Sequence, residues 1–200
     1  MNKVNGLYRF GYGVISVILR LFFGVQVIGR ENIIDGPAIV CGNHSSAWDP
    51  VFIGYAFTSR EQIHFMAKKQ LFSIPFLGWF MRKIGTFPVD RNKNDVSAVK
   101  NMMKYLRDGE KVGLFPEGTR VKQDDAVQAR SGAVKMSARM GTPIIPVYIP
   151  REKKLFRRNT VVIGKPFYIE TESKSISNEE FMQLSDKLMH SINSLKEETI

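Results

Sequence analysis

PAIVCGNHSSAWDPVFIGYAF, residues 37–57, changes character twice within a short span. Pro37–Gly42 is an apolar, β-branched run without alternation, the pattern of a strand buried on both faces. Asn43–Ser46 is polar. Asp49 and Pro50 then open a second apolar segment, and both suit the first turn of a helix, here expected over 48–59. Strand, polar loop and helix in that order form the unit from which α/β sheets are built.

The alternation continues outward. Strands are expected from near Val25, over 63–68 (IHFMAK), 111–117 (KVGLFPE) and 143–149 (PIIPVYI), with a strand or bent pair over 160–169. Between them lie helices over 74–85, 94–109 and 131–141. The clearest is 94–109, where Val96, Val99, Met103 and Leu106 share one face and Gly109 ends the run. A last helix over 177–198 starts at a capping box, Ser177 with Glu180. The fold class is therefore α/β: a mixed, largely buried sheet flanked by helices. The 200 residues, 44% of them hydrophobic, suit one domain over 25–200, and no repeat or long Gly/Ser linker divides it.

Residues 8–29, YRFGYGVISVILRLFFGVQVIG, are the most apolar stretch. A spanning helix needs about 20 apolar residues, and Arg20 interrupts this one. Val14, Ile18, Leu21 and Val25 make one apolar stripe, but the other faces are also mostly apolar. Residues 1–24 read as a helix lying in the membrane interface. A buried core helix is the competing reading. A signal peptide fits less well, since Arg20 splits its apolar core and no small-x-small cleavage site follows.

The formal net charge is +10, with a pI of about 9.8. Residues 1–30 carry four bases and no acid, 60–93 seven bases and two acids, and REKKLFRR (151–158) five bases and one acid. The stretch from Glu170 reverses this with seven acids and three bases. Such a surface suits an anionic partner: a phospholipid surface, a phosphorylated ligand or nucleic acid. No nucleic-acid motif is present, so nucleic acid is not expected. The lone Cys41 rules out an internal disulfide and a Cys-rich zinc site, and His-x4-Asp offers a metal only two ligands.

Two polar clusters follow expected strands, where α/β sheets bind ligands. In NHSSAWD, Asp49 can hydrogen-bond one imidazole nitrogen of His44 and leave the other as a general base. The alternative is a helix cap beside a locally bonded histidine. A hydrolase would need a nucleophile, yet there is no G-x-S-x-G elbow. Ser45 and Ser46 adjoin His44 but adjacency does not supply the attack geometry, and Cys41 falls in a buried strand. A substrate hydroxyl attacking a thioester would satisfy the pair, as acyl transfer without an acyl-enzyme. In FPEGTR (115–120), Glu117 can bond a hydroxyl, Gly118 admits close backbone approach, and Arg120 can clamp a phosphate, with Thr119 between them. A β-turn with a surface ion pair is the plainer reading. In GTFPVDR (85–91), Arg91 is a candidate phosphate ligand. The run LFSIPFLGWFM (71–81) can line an acyl groove or be ordinary core.

NHSSAWD, GTFPVDR, FPEGTR and PIIPVYI together resemble the four ordered blocks of the glycerolipid acyltransferase family, in the 1-acyl-glycerol-3-phosphate acyltransferase branch. The resemblance covers about residues 30–170. It implies transfer of a fatty acyl group from acyl-ACP or acyl-CoA to the sn-2 hydroxyl of lysophosphatidate, giving phosphatidate for phospholipid biosynthesis. Related lysophospholipids or glycerol-3-phosphate as acceptor, or a non-catalytic membrane-binding module, are the alternatives. It implies His44 as general base and Asp49 as its orienter. Arg91, Glu117, Gly118, Thr119 and Arg120 would hold the phosphoglycerol acceptor, and Pro146 would shape the donor side. No metal or bound cofactor is implied, and the location would be peripheral or monotopic on an anionic membrane at the cytoplasmic face. The chain departs from the family where Val121 follows Arg120, and where ARSGA puts Arg130 and Gly132 in place of a Lys-Gly pair. Arg130 is then the residue expected to keep a charge at the phosphate.

Overall fold

The computed structural model describes residues 4–90, 95–122, 128–169 and 176–199. The strands are β1 (Val25–Ile28), β2 (Ala38–Gly42), β3 (Ile63–Lys68), β4 (Phe87–Val89), β5 (Lys111–Leu114), β6 (Ile144–Tyr148) and β7 (Asn159–Ile163). The helices are α1 (Gly6–Phe23), α2 (Asp49–Ala56), α3 (Leu77–Lys83), α4 (Val96–Arg107), α5 (Gly132–Met140) and α6 (Asn178–Ser194). All seven strands join one sheet in the order β1-β7-β6-β2-β5-β3-β4. From β6 to β4 every pairing is parallel, so the carboxyl ends of these five strands share one edge. Only β6–β7 is antiparallel, and β1 runs parallel to β7.

The apolar runs are buried because both sheet faces are covered. In β2 the side chains alternate between two cores, as strand periodicity demands. Ala38 and Val40 pack with Phe52, Phe57 and Ile145 beneath α1 and α2. Ile39 and Cys41 pack with Met102, Val134 and Leu188 beneath α4, α5 and α6.

Several expected boundaries move. The helix expected over 48–59 ends at Ala56, and Thr58 has φ 73°. The helix expected over 74–85 shrinks to seven residues, preceded by a 3-10 turn at Lys69–Ser73. The strand expected over 111–117 stops at Leu114. GTFPVDR contains a strand that periodicity did not disclose, β4, and its Pro88 is tolerated because β4 is an edge. Pro146 lies in the central strand β6, at the gap between the isolated Ile144–Phe167 bridge and the Val147–Ile163 ladder.

Asp95 caps α4, accepting hydrogen bonds from the Ser97 and Ala98 amides at 3.0 and 3.1 Å. It also accepts one from the Asp90 amide at 2.8 Å, so it ties the end of β4 to the start of α4. The Ser97 hydroxyl, which also donates to it, and then the Asp90 and Ala98 amides hold its carboxyl at about 2. Asp95→Ala is expected to lower stability at neutral pH, as loss of a helix cap does. Because the folded value lies below the ordinary one of about 3.9, the difference from the parent is full above that pH and vanishes as pH falls toward 2. Urea midpoints at pH 7 and pH 3 check this.

α1 is apolar on two sides. Tyr12, Ile15, Leu19 and Phe23 face the core, with Leu19 fully buried. The Tyr12 hydroxyl donates to the Tyr55 carbonyl at 3.1 Å, and Arg20 Nε donates to the Tyr55 hydroxyl at 3.2 Å. The stripe picked out in the sequence is divided: Val14 and Leu21 are exposed, as are Phe10 and Val17, but Ile18 is half-buried and Val25 is buried in β1, beyond the helix end. By length and composition α1 could cross a membrane, but its inner face is occupied by the domain itself.

Candidate active site

Three neighbouring strands, β6, β2 and β5, deliver loops to the shared carboxyl edge. The loop after β2 is pinned first. Asn43 is fully buried and exchanges two 2.8 Å hydrogen bonds with the Ile149 backbone, prolonging the β2–β6 ladder through a side chain. The His44 carbonyl accepts from the Val121 amide at 2.7 Å, and its amide donates to Glu117 Oε2 at 3.2 Å.

His44 and Asp49 meet. His44 Nδ1 lies 2.8 Å from Asp49 Oδ2. That oxygen also accepts from the Ser45 and Ser46 amides at 2.6 and 2.7 Å. A carboxylate oxygen can only accept, so the proton sits on Nδ1 and Nε2 keeps its lone pair. Helix start and histidine support are therefore one structure: Asp49 is the first residue of α2 and still holds His44. The imidazole is fixed from its face as well. Phe115 stacks on it at 4.1 Å between centroids and 17°, and Phe65 stacks on Phe115 at 5.9 Å. Gly113 makes that stack possible, since a Cβ there would lie 2.2 Å from the Phe65 ring.

Asp49 is fully buried and has one further partner that sequence reasoning missed. Lys153, on the loop after β6, donates to Asp49 Oδ1 and to the Ser45 hydroxyl, the latter at 2.8 Å. Burial alone would raise the Asp49 carboxyl. The bonds from His44 and Lys153, the Lys153 charge and the Ser46 amide outweigh it and hold the carboxyl below its usual range. Lys153 does not gain in the same measure: burial pushes its ammonium below the usual lysine value despite Asp49, and Arg151 adds to that. The coordination explains the asymmetry. Asp49 has three N–H donors besides Lys153, so it stays ionised and Lys153 bears the desolvation.

The loop after β5 holds the second cluster. Glu117 is nearly buried, and both oxygens are engaged, Oε2 by the His44 amide and Oε1 by Arg151 Nη2 at 2.8 Å. It thus braces the histidine loop rather than offering a free oxygen to a hydroxyl. Arg151 Nη1 also donates to the Val121 carbonyl at 2.9 Å, so one guanidinium joins the third loop to the second. Gly118 has φ 67° and lies beneath Arg130; a Cβ would come within 2.3 Å of Arg130 Nε. Thr119 and Arg120 are exposed. Arg91 lies outside the described residues.

A cavity of about 230 Å³ opens at His44. Gly118, Arg130 and Asp90 belong to its lining, and it continues along Met66, Val89 and Met102 over the sheet. The lining therefore combines a base, a guanidinium and the Asp90 carboxylate with apolar walls. Thr119, Arg120 and Pro146 are not among the residues that line it. Cys41 lies fully buried in β2, and burial raises its thiol, which removes it as a nucleophile. The one signal for Arg151 and Lys153 was positional: REKKLFRR follows a buried strand just as the other two clusters do. Its charge density drew attention to an anionic surface instead.

An oriented imidazole at the end of a buried parallel strand, beside a cavity with both polar and apolar lining, has the chemistry to activate a hydroxyl on an amphiphile. The acyltransferase family profile matches residues 24–150. The chain belongs to the acyltransferase family. It is similar to the 1-acyl-sn-glycerol-3-phosphate acyltransferase of Bacillus subtilis, 33% identical over 196 residues that cover 95% of this chain and 97% of that one. The enzyme of the same name from Borreliella burgdorferi is 33% identical over 69% of this chain and 56% of its own length. The fold matches the crystal structure of the 1-acyl-sn-glycerophosphate acyltransferase PlsC from Thermotoga maritima, with a TM-score of 0.66, 22% identity, and coverage of 98% of this chain and 84% of that one.

Proposed function

We infer that this chain transfers a fatty acyl group from acyl-ACP or acyl-CoA to the sn-2 hydroxyl of 1-acyl-glycerol-3-phosphate, forming phosphatidate. The observation that carries the reading is the His44–Asp49 pair, 2.8 Å apart, with His44 and Arg130 both in the cavity lining. The names of the similar proteins supply the acceptor.

In this mechanism His44 Nε2 takes the proton of the acceptor hydroxyl as its oxygen attacks the thioester carbonyl carbon. Asp49 holds the tautomer and offsets the charge that forms on the imidazole. The tetrahedral intermediate collapses with cleavage of the carbon–sulfur bond, and the imidazolium returns its proton to the leaving thiolate. The attacking oxygen comes from the lipid, so no protein nucleophile and no acyl-enzyme are needed. Arg130 receives the acceptor phosphate by charge-assisted hydrogen bonds, and Arg91 is a second candidate for it. Glu117 and Arg151 keep the three loops in register. The apolar length of the cavity takes an acyl chain. No metal or bound cofactor enters the scheme. Residues 1–24 serve as an interface helix for residues 25–200, placing the site on the cytoplasmic face of an anionic membrane.

A panel of acceptors against both donor types tests this in detergent-dispersed form. Lysophosphatidate is expected to give the highest kcat/KM, and Arg130→Ala to raise KM for it roughly tenfold or more, the range of a lost charged hydrogen bond. Equal turnover of an uncharged lysolipid, or no change in Arg130→Ala, would reject phosphate recognition in this cavity.

A further inference from the structure

The connection from β3 to β4 carries a surface that the chemistry above does not use. Its Lys69–Ser73 turn and α3 expose six large apolar side chains: Leu71, Ile74, Phe76, Leu77, Trp79 and Phe80. Phe76 is 87% exposed and Trp79 57%. Of the run expected as acyl groove or core, Phe72 is buried, while the six exposed side chains are not among the residues that line the cavity at His44. The arm is nevertheless built. Phe72 is buried beneath it, Gly78 packs so closely on the Phe72 backbone that a Cβ would lie 2.2 Å from its carbonyl, and Arg82 lies over the Phe72 ring at 5.2 Å. Phe76 has φ 59°, a conformation that costs a bulky L-residue free energy. That strain is spent at the most exposed aromatic ring of the arm.

Leaving so much contiguous apolar surface in water is unfavourable, and on a soluble domain it marks a docking site. The charge around it selects the occupant. Lys68, Lys69, Arg82 and Lys83 are exposed at the two ends of the arm, and residues 62–89 contain no acid. Aromatic residues at the tip with cations at the base match the layering of an anionic bilayer, apolar below and phosphate above.

We propose that this arm is a second bilayer contact, dipping Phe76 and Trp79 into the interface of an anionic membrane alongside α1. The two elements are joined, because Asn5 Nδ2, at the start of α1, donates to the Lys83 carbonyl at 2.9 Å. The outer stripe of α1 is Phe10, Val14, Val17 and Leu21. Two contacts fix the orientation of the domain where one helix would leave it free to roll. The arm also joins the strands whose Met66 and Val89 wall the apolar part of the cavity, so the bilayer meets the domain beside the acyl end of the site. That last consequence rests on the lipid-acyltransferase reading, whereas docking itself does not.

The chain has two tryptophans, so Trp48→Phe leaves Trp79 as the sole reporter. Mixed with phosphatidylcholine–phosphatidylglycerol vesicles, Trp79 emission is expected to shift to the blue and to be quenched by brominated acyl chains, less so at high salt. As a second probe, Phe76→Cys carries an environment-sensitive dye while the buried Cys41 stays unlabelled. Ile74→Ser with Phe76→Ser is expected to lower vesicle partitioning about tenfold, and Val14→Ser with Leu21→Ser to lower it independently. Neither pair should change turnover of detergent-dispersed lysophosphatidate, so failure of docking and failure of catalysis are separable. Vesicle binding with both probes still in water would overturn the proposal. So would probes that respond to an acidic carrier protein but not to vesicles, or a lipid-free dimer that the Ile74/Phe76 pair dissolves.

Discussion

His44→Ala is expected to lower kcat for acyl transfer by about 10²- to 10⁴-fold. The effect is this large because the described groups that adjoin His44 in the sequence or hold Asp49 are otherwise engaged. Ser45 donates its hydroxyl to the Arg151 carbonyl at 2.8 Å, Cys41 is sealed in the sheet, and Lys153 is committed to Asp49. The fold should survive. The main-chain bonds of residue 44 to Val121 and Glu117 do not involve the imidazole, and Asp49 keeps three donors. A loss of about 1–2 kcal/mol is expected from the vacated ring site beneath Phe115. The measurement is single-turnover transfer alongside thermal unfolding, and a folded His44→Ala variant with near-parental turnover would remove His44 from the chemistry.

Asp49→Ala acts on both activity and stability. Turnover should fall strongly but by no more than for His44→Ala, because the imidazole remains but loses its tautomer restraint and its counter-charge. Stability should fall by about 3 kcal/mol, because the buried Lys153 ammonium loses its carboxylate and keeps only the Ser45 hydroxyl and the Phe52 ring face. The loss should shrink as pH rises, since an unpaired buried lysine sheds its proton. Adding Lys153→Met to Asp49→Ala should recover much of the stability and none of the activity; losses that simply add would show that the two residues are not coupled. In the parent, the Asp49 carboxyl is held below its ordinary value. Its contribution is therefore full above about pH 3.9 and is lost as pH falls through the lowered folded value. Asp49→Ala should lose that part of the acid transition.

The strand–loop–helix reading of residues 37–57 held because it rests on local physics. Unalternating β-branched runs bury on both faces, and Asp-Pro starts a helix, whatever surrounds them. The His44–Asp49 contact belongs to the same class, five residues apart across one turn. What failed was anything set by packing. Apolar composition is the same whether a segment faces inward or outward, so the residues of α3 fit a core or groove helix as well as an exposed arm. β4 was hidden by Pro88, which only an edge position tolerates. In α1 a stripe was visible, yet the opposite face, through Leu19, meets the core.

The sequence by itself determined the fold class, the order of the elements other than β4, and the histidine–aspartate pair, because each depends on neighbours within a turn or a strand. Only the tertiary structure decided that Lys153 and Arg151, more than a hundred residues from His44, complete that site, that Glu117 braces a loop, and that the arm around Phe76 faces outward. The reason is geometric. Parallel strands bring their carboxyl ends to one edge in an order, β6-β2-β5, that is not the order of the chain. The partners of a buried charge are set by that order and not by spacing along the sequence.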